Sequence, residues 1–239
     1  MNKPHILLFS LLILQQACSS SIDSHTIASI PEASGISFCE NSNTLVVAND
    51  EGSFYEITLQ GKIIKQHNLG KYDLEAVVCE KEEFIFAVED GALLQVDRST
   101  LNSKLLKIKG GKIKISKKSG IEGMTKIGQY YYVTLQSKKK KNAKFLILKR
   151  GENYAKVVNE IHHGIIDSAG MQYIDKKLYI VSDKKDKLYV YNLKKNKIQK
   201  KVKLAKFAQE GITFDNKGNV YFADDDGAVI KYRKKELRL

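Results

Sequence analysis

The chain has 239 residues, which is enough for one large or two small domains with a sizeable core. Hydrophobic residues make up 43% of it, a share that excludes general disorder. The formal net charge is +13, but the lysines are spread along the chain without a recognised nucleic-acid-binding module, so we expect no nucleic-acid partner.

The N-terminus has the features of an export signal. Lys3 precedes a short apolar run at 6–14, and the residues up to Cys18 resemble a bacterial lipobox, although Gln15 stands where such boxes usually carry leucine. This run is too short to span a bilayer as a permanent helix. We therefore predict export to the periplasm and anchoring to the membrane as a lipoprotein through lipidation of Cys18.

The predicted domain organisation follows from this signal. A signal peptide with a lipobox occupies 1–18, a short linker 19–24, and a single domain 25–239. The domain begins with an extended, alternating stretch at 25–30. Short runs rich in Val, Ile, Tyr and Phe follow, separated by turn residues, which is the pattern of β-strands. In the first group these strands lie at 44–50, 53–59 and 62–69.

A related sequence motif begins each group of strands. "SGISFCE", "LEAVVCE", "IEGMTKI", "SAGMQYI" and "QEGITFD" begin at positions 34, 74, 121, 168 and 209. Their central apolar residues recur every 41 or 47 residues: Ile36, Val77, Met124, Met171 and Ile212. Self-similarity at this period is typical of propeller blades, each a four-stranded antiparallel sheet.

The number of blades follows from the remaining length. Only 27 residues come after Ile212, so a sixth blade has no room and the fifth lacks a strand. The stretch at 25–30 supplies that strand. We therefore predict an all-β, five-bladed β-propeller of four-stranded antiparallel blades, with the ring closed by an N-terminal strand.

Two sets of acidic residues should meet at one face of such a ring. One set lies just before or within the inner strands: Glu32, Asp73, Glu75, Glu122, Asp167 and Glu210. The other follows the second strands: Asn49, Asp50, Glu89, Asp90, Asp183 and 224–226. For any single Asp in the second set, an ordinary turn is the better interpretation. Glutamate is a poor turn former, so the repeated glutamates favour a ligand role, and hard oxygen ligands suit Ca²⁺.

Cys39 and Cys79 remain in the domain, near the ends of neighbouring inner strands. Export makes a disulfide chemically possible, but their spacing matches no metal or redox motif. We therefore expect two buried thiols.

Several motifs resemble the SdiA-regulated domain family of exported bacterial five-bladed propellers. They are "EASGISF", "DLEAV", "IEGM", "LYIVSD" and "QEGITFDNKGNVYFADD", and the resemblance covers about residues 26–236. It implies a bound calcium ion, for which we predict the ligands Glu75, Glu122, Glu210 and Asp183. Two departures are Ala76, where the family usually has glycine, and Ala169, which replaces a glutamate.

Three functions remain open on the sequence. The first is a non-enzymatic, monomeric calcium-binding propeller that binds an unknown protein or small molecule. The second is a calcium-dependent hydrolase of a lactone, ester or phosphate, with His162 or His163 as the base. The third is a cationic surface for acidic polymers or lipid headgroups at 112–118 and 138–141, which requires both stretches to share one face.

Overall fold

The computed structural model describes residues 22–111, 115 and 119–239. These residues form twenty β-strands and three short 3-10 turns, and none of their helices is long and apolar enough to cross a membrane. The fold is all-β, as the sequence predicts. The signal peptide and lipobox predicted at 1–18, with Cys18, lie outside the described residues, as does most of the stretch at 112–118.

The strands fall into five groups of four, which we name units 1 to 5. Unit 1 contains β2 (Ala33–Cys39), β3 (Thr44–Asn49), β4 (Ser53–Thr58) and β5 (Ile63–Asn68). Unit 2 contains β6 (Leu74–Cys79), β7 (Glu83–Val88), β8 (Ala92–Asp97) and β9 (Ser103–Lys109). Unit 3 contains β10 (Ile121–Ile127), β11 (Tyr130–Leu135), β12 (Lys144–Arg150) and β13 (Tyr154–His162).

The last two units complete the chain. Unit 4 contains β14 (Met171–Ile174), β15 (Lys177–Ser182), β16 (Lys187–Asn192) and β17 (Lys197–Lys203). Unit 5 contains β18 (Gln209–Phe214), β19 (Asn219–Asp224), β20 (Ala228–Arg233) and, from the N-terminal end of the domain, β1 (Thr26–Ser29). β1 pairs antiparallel with β20, so the strand predicted at 25–30 takes the place predicted for it.

Burial changes from the inside to the outside of each unit. Every residue of β3 is buried, because apolar side chains on both faces of the strand pack against neighbouring units. The outermost strand β17 is lysine-rich and mostly exposed. Units 2 and 3 differ from the others in that their outer strands β9 and β13 pair in parallel, which joins the two units into one eight-stranded sheet.

The units pack side by side in cyclic order. The first strands contact one another in the sequence β18, β2, β6, β10, β14 and back to β18. Each pair of neighbouring units shares a hydrophobic cluster in the described residues. Three hydroxyl oxygens also accept a backbone N–H hydrogen bond from the next first strand: Ser37 Oγ from Cys79 (3.1 Å), Thr125 Oγ1 from Tyr173 (3.0 Å) and Thr213 Oγ1 from Phe38 (3.0 Å).

Cys39 and Cys79 form a disulfide, so the prediction of two buried thiols is wrong. Cys39 ends β2 and Cys79 ends β6, and their Cα atoms are 5.3 Å apart. The two first strands lie side by side and end at the same level, which brings the sulfur atoms within bonding distance. The bond spans 40 residues and links units 1 and 2 covalently.

Candidate metal centre

The repeated glutamates occupy the same irregular position in three first strands. In β6, β10 and β18 the register with the second strand breaks at one residue, which is Glu75, Glu122 or Glu210 respectively. Such a β-bulge leaves the residue unpaired and redirects its side chain. β2 has the same break at Ser34. The bulges thus release three carboxylates from the ladder at equivalent ends of their strands.

Small residues beside the bulges permit close approach of the first strands. A Cβ atom added to Gly123 would lie 2.2 Å from the carbonyl oxygen of Ala169, and one added to Gly35 would lie 2.6 Å from the Cα of Ala76. Only glycine fits such contacts. Ala76 departs from the family's usual glycine, yet the bulge at Glu75 has the same position as those in β10 and β18. The departure therefore leaves the register unchanged.

The loops before the first strands lie against the loops after the second strands. The residue that follows each of four second strands donates its backbone N–H to a carbonyl oxygen of the preceding loop. These bonds are Asp50 to Glu32 (3.3 Å), Glu89 to Asp73 (3.0 Å), Gln136 to Gly120 (2.9 Å) and Asp225 to Ala208 (3.2 Å). The two predicted sets of residues therefore meet at one end of the units, which we name the acidic mouth.

Asp50, Asp73 and Glu75 form a tight group of carboxylates. One oxygen from each lies within 4.8 Å of the other two, and all three residues are half-buried. Asp50 Oδ1 is buried and has no hydrogen-bond partner among the described residues. A buried anionic oxygen without a partner costs free energy, whereas a cation bound beside it would satisfy its lone pairs.

A second group of carboxylates surrounds a cavity of about 70 Å³. Glu122, Asp183 and Glu210 line it, together with Gln136, Asp167 and Lys184. Lys184 Nζ lies 2.8 Å from Asp167 Oδ1, so this ion pair neutralises Asp167. In the described part of the chain no lysine or arginine forms an ion pair with the three repeated glutamates.

Burial and mutual repulsion raise the pKa values of these groups. Burial raises the pKa of Glu75 to about 11, and the charges of Glu122 and Asp50 add to the shift. Burial also raises the pKa of Glu122 to about 8 and that of Asp50 to about 7. The pKa of Glu210 lies well above its ordinary value because of burial and repulsion from Glu122. Since Glu75 interacts with Glu122 and Glu210, the two groups act electrostatically as one.

The four predicted ligands are thus placed in two adjoining groups. Asp183, Glu122 and Glu210 share the cavity, whereas Glu75 lies with Asp50 and Asp73. The predicted ligand set omitted these two aspartates. Gln136 was missed because an amide does not continue an acidic pattern. Its position directly after β11, equivalent to Asp50 after β3, is the signal that identifies it.

Other acidic positions serve turns or face solvent. Asn49 Oδ1 accepts the backbone N–H of Ser53 at 2.8 Å, and Asp224 Oδ1 accepts that of Asp226 at 3.2 Å. These are ordinary turn contacts. Four further residues are exposed: Glu32, Asp90, Asp225 and Asp226.

The two candidate catalytic histidines do not line the cavity. His163 is buried and stacks on Phe145 with 4.1 Å between ring centroids, and its Nδ1 accepts the backbone N–H of Ile165. Burial lowers the pKa of His163 to about 4. His162 is exposed at the end of β13. His163 therefore packs between units 3 and 4, where Phe145 belongs to the shared cluster.

Four-stranded antiparallel units packed around their first strands define the molecule as a β-propeller. The chain belongs to the SdiA-regulated family, whose model matches residues 11–226. No curated protein sequence matches it significantly.

Solved structures show the same fold at low sequence identity. Glutaminyl cyclase from Myxococcus xanthus is similar with a TM-score of 0.69 and 9% identity, over 87% of this chain and 93% of that one. A streptogramin B lyase is similar with a TM-score of 0.51 and 13% identity, over 87% of this chain and 72% of that one. At such identities the likeness concerns the fold alone.

Proposed function

We propose that this protein is a five-bladed, calcium-binding propeller of the bacterial cell envelope that acts as a binding module rather than an enzyme. One observation carries the proposal. Glu75, Glu122 and Glu210 are brought together half-buried, and no described lysine or arginine pairs with any of them. Carboxylates held in this way either remain protonated or require a cation.

The composition of the acidic mouth favours Ca²⁺ over other cations. Its donors are carboxylate oxygens and the amide of Gln136, and no described histidine or cysteine joins the group. Ca²⁺ accepts about six to eight oxygen ligands in flexible geometry, whereas Mg²⁺ demands a near-octahedral shell. Glu75, Glu122, Glu210 and Asp183 would hold the ion, with Asp50 and Asp73 beside Glu75. Bound calcium would supply the positive charge that offsets the repulsion among them.

Five blades are supported by the packing order. Each of the five units shares a hydrophobic cluster with the next, and the last with the first. β1 supplies the outer strand of unit 5, so the two ends of the domain join in one sheet.

The disulfide between Cys39 and Cys79 supports location outside the cytosol, because disulfides persist mainly in oxidising compartments. It agrees with the export signal predicted before Cys18 and with a lipid anchor at that residue. The hydrolase alternative gains no support from the acidic mouth, since neither His162 nor His163 lines the cavity there. The ligand of the module would be a protein or a small molecule bound to a monomer.

Calorimetric titration of Ca²⁺ into the metal-free full chain tests the proposal. We expect saturable Ca²⁺ binding and weaker binding of Mg²⁺. Glu122→Gln should weaken Ca²⁺ binding at least about tenfold, because it removes a charged ligand group. Glu152→Gln, at an exposed position after β12, is the matched control and should leave the affinity unchanged. Absence of Ca²⁺ binding, or equal losses in both variants, would contradict the proposal.

A further inference from the structure

Unit 4 is strongly basic. Residues 171–206 contain twelve lysines and three aspartates, a net charge of +9 within a chain of net charge +13. Units 1 and 2 have a net negative charge, since residues 33–109 contain eight Lys and Arg against twelve Asp and Glu. Unit 3 with the loops that flank it is as basic as unit 4, since residues 110–170 contain thirteen Lys and Arg against four Asp and Glu. The net positive charge therefore lies on the units 3 and 4 side of the fold, opposite in sign to units 1 and 2.

The charge of unit 4 is most exposed along β17, the outermost strand of its sheet. Lys197, Lys200, Lys201 and Lys203 are all exposed on this strand. Lys203 lies opposite Lys187 in the pairing register, so like charges face each other. Of the twelve lysines at 171–206, only Lys184 forms an ion pair with a described residue.

A groove of about 390 Å³ lies between β17 and the C-terminal segment. Three lysines and an arginine line it, with one glutamate and two apolar side chains: Lys200, Lys201, Lys203, Arg238, Glu236, Val202 and Leu237. Lys200 Nζ donates a hydrogen bond to the carbonyl oxygen of Arg238, which connects the segment to the strand. We name Lys197, Lys200, Lys201, Lys203 and Arg238 the basic edge.

Protection against strand pairing explains part of this pattern, because lysine on an edge strand blocks the addition of another strand. That role does not require an arginine from a separate segment to line the same groove. Nor does it explain why β5, also the outermost strand of its sheet, carries one lysine and the exposed side chains of Ile63 and Ile64. A partner of complementary charge accounts for both features.

The position of the N-terminal end of the domain indicates which partner. Ile22 packs against a hydrophobic cluster that contains Leu237, and Val202 packs against the same cluster. Leu237 and Val202 also line the groove, so the chain enters the domain near it. Cys18 lies four residues earlier. Four residues span at most about 14 Å, so a lipid on Cys18 would hold the neighbourhood of the basic edge close to a membrane surface.

We propose that the basic edge docks on the anionic headgroups of a phospholipid membrane. The proposal rests on the envelope location given above and adds a second contact to the lipid anchor. A basic patch beside a lipid anchor is a common second membrane signal. Each Lys or Arg near an anionic surface adds attraction that falls off within a Debye length.

Vesicle co-sedimentation of the mature chain from residue 19 onward, which lacks both Cys18 and the apolar run at 6–14, tests the basic edge without another membrane anchor. Vesicles of phosphatidylcholine alone are compared with vesicles that contain roughly 30% phosphatidylglycerol, at low and high salt. Chelator is present throughout, so the result does not depend on the calcium site. We expect binding only to the anionic vesicles, with loss at high salt.

Substitution of three lysines tests whether membrane binding depends on the basic edge or only on the net charge of the protein. The triple variant K200Q/K201Q/K203Q should bind at least about tenfold more weakly. The matched control is K104Q/K107Q/K109Q, which removes the same charge from exposed positions on the outer strand β9 and should change binding less than about threefold. Because Lys200 also contacts Arg238, the pair K201Q/K203Q is a second test variant, and circular dichroism verifies that each variant is folded.

Three results would overturn the proposal. The first is equal loss in the β9 and β17 variants, which would indicate net charge alone. The second is absence of binding to anionic vesicles. The third is binding of soluble polyphosphate without binding of vesicles, which would indicate a soluble polyanion as the partner. Cell fractionation with and without Cys18→Ser tests the envelope location separately, and calcium titration tests the acidic mouth.

Discussion

Glu122 and Gly123 show how adjacent residues meet two demands of a first strand. The bulge frees the Glu122 carboxylate from the ladder, while Gly123 lets the backbone of unit 4 approach without a steric clash. The Glu122–Gly123 dipeptide therefore combines a functional residue with a structural one. In unit 4 the glutamate is replaced by the buried Ala169, so that unit contributes to the cavity through the loop residues Asp167 and Asp183 instead.

Gly35→Ala tests the close approach of the first strands. The added Cβ would lie 2.6 Å from the Cα of Ala76, and neither backbone can move without disturbing its sheet. We expect the free energy of unfolding to fall by about 3 kcal/mol, as for an overpacked core. Urea denaturation at equilibrium measures it.

Gly218→Ala is the control for this substitution. Its added Cβ would meet nothing within 4 Å, and its φ of +82° leaves only the strain of a left-handed conformation, about 1 kcal/mol. Equal losses at Gly35 and Gly218 would contradict the steric account.

Among the strands, β1 contributes more to the fold than its short length suggests. It has four residues, yet it completes unit 5 and leads directly into unit 1. Ile30, which follows it, is fully buried in the cluster shared by units 1 and 5. Its backbone N–H donates to the carbonyl oxygen of Gly227 at 3.1 Å. This short segment therefore joins the two ends of the domain by both pairing and packing.

Ile30→Ala should accordingly lower the free energy of unfolding by about 3 kcal/mol, because it leaves a cavity in that cluster. Thermal or urea denaturation provides the measurement. The same substitution at Ile63, which is 46% exposed on β5, should cost less than about 1 kcal/mol. If the free energy of unfolding fell by the same small amount in both variants, the junction between units 5 and 1 would contribute nothing to stability.

The strands could be predicted from sequence because their signals are local. Alternating Val, Ile, Tyr and Phe between turn residues placed β3, β4 and β5 within one residue of their observed bounds. The parallel pairing of β9 with β13 was not predicted, since strand alternation does not encode which outer strand lies alongside. Cys39 and Cys79 were placed near the ends of neighbouring inner strands, but the distance between them is a property of the folded chain, so the disulfide was missed.

The candidate site was predictable to the extent that it follows the repeat. Glu75, Glu122 and Glu210 share one position in three units, so their convergence could be expected from the period alone. Asp50 and Asp73 belonged to the converging sets, but nothing in the sequence distinguishes them from turn residues such as Asp224. The buried, unpartnered Oδ1 of Asp50 is a property of the folded chain only.

Across the whole molecule, the acidic mouth makes stability depend on protons as well as on metal. Glutamate in the unfolded chain has a pKa near 4.5, whereas in the folded chain burial raises the pKa of Glu122 to about 8 and that of Glu75 to about 11. A raised pKa in the folded state means that folding binds protons. The metal-free protein should therefore lose stability as the pH rises from about 4.5 towards 8.

Thermal denaturation of the full chain at about pH 8 and about pH 5.5, in chelator and in excess Ca²⁺, tests the central claim most directly. We predict that Ca²⁺ raises the melting temperature by roughly 5–10 °C at the higher pH and by less at the lower pH, where protons compete for the carboxylates. Glu122→Gln should lose most of this rise. No rise at the higher pH, or the same rise in the variant, would contradict a calcium site at the acidic mouth.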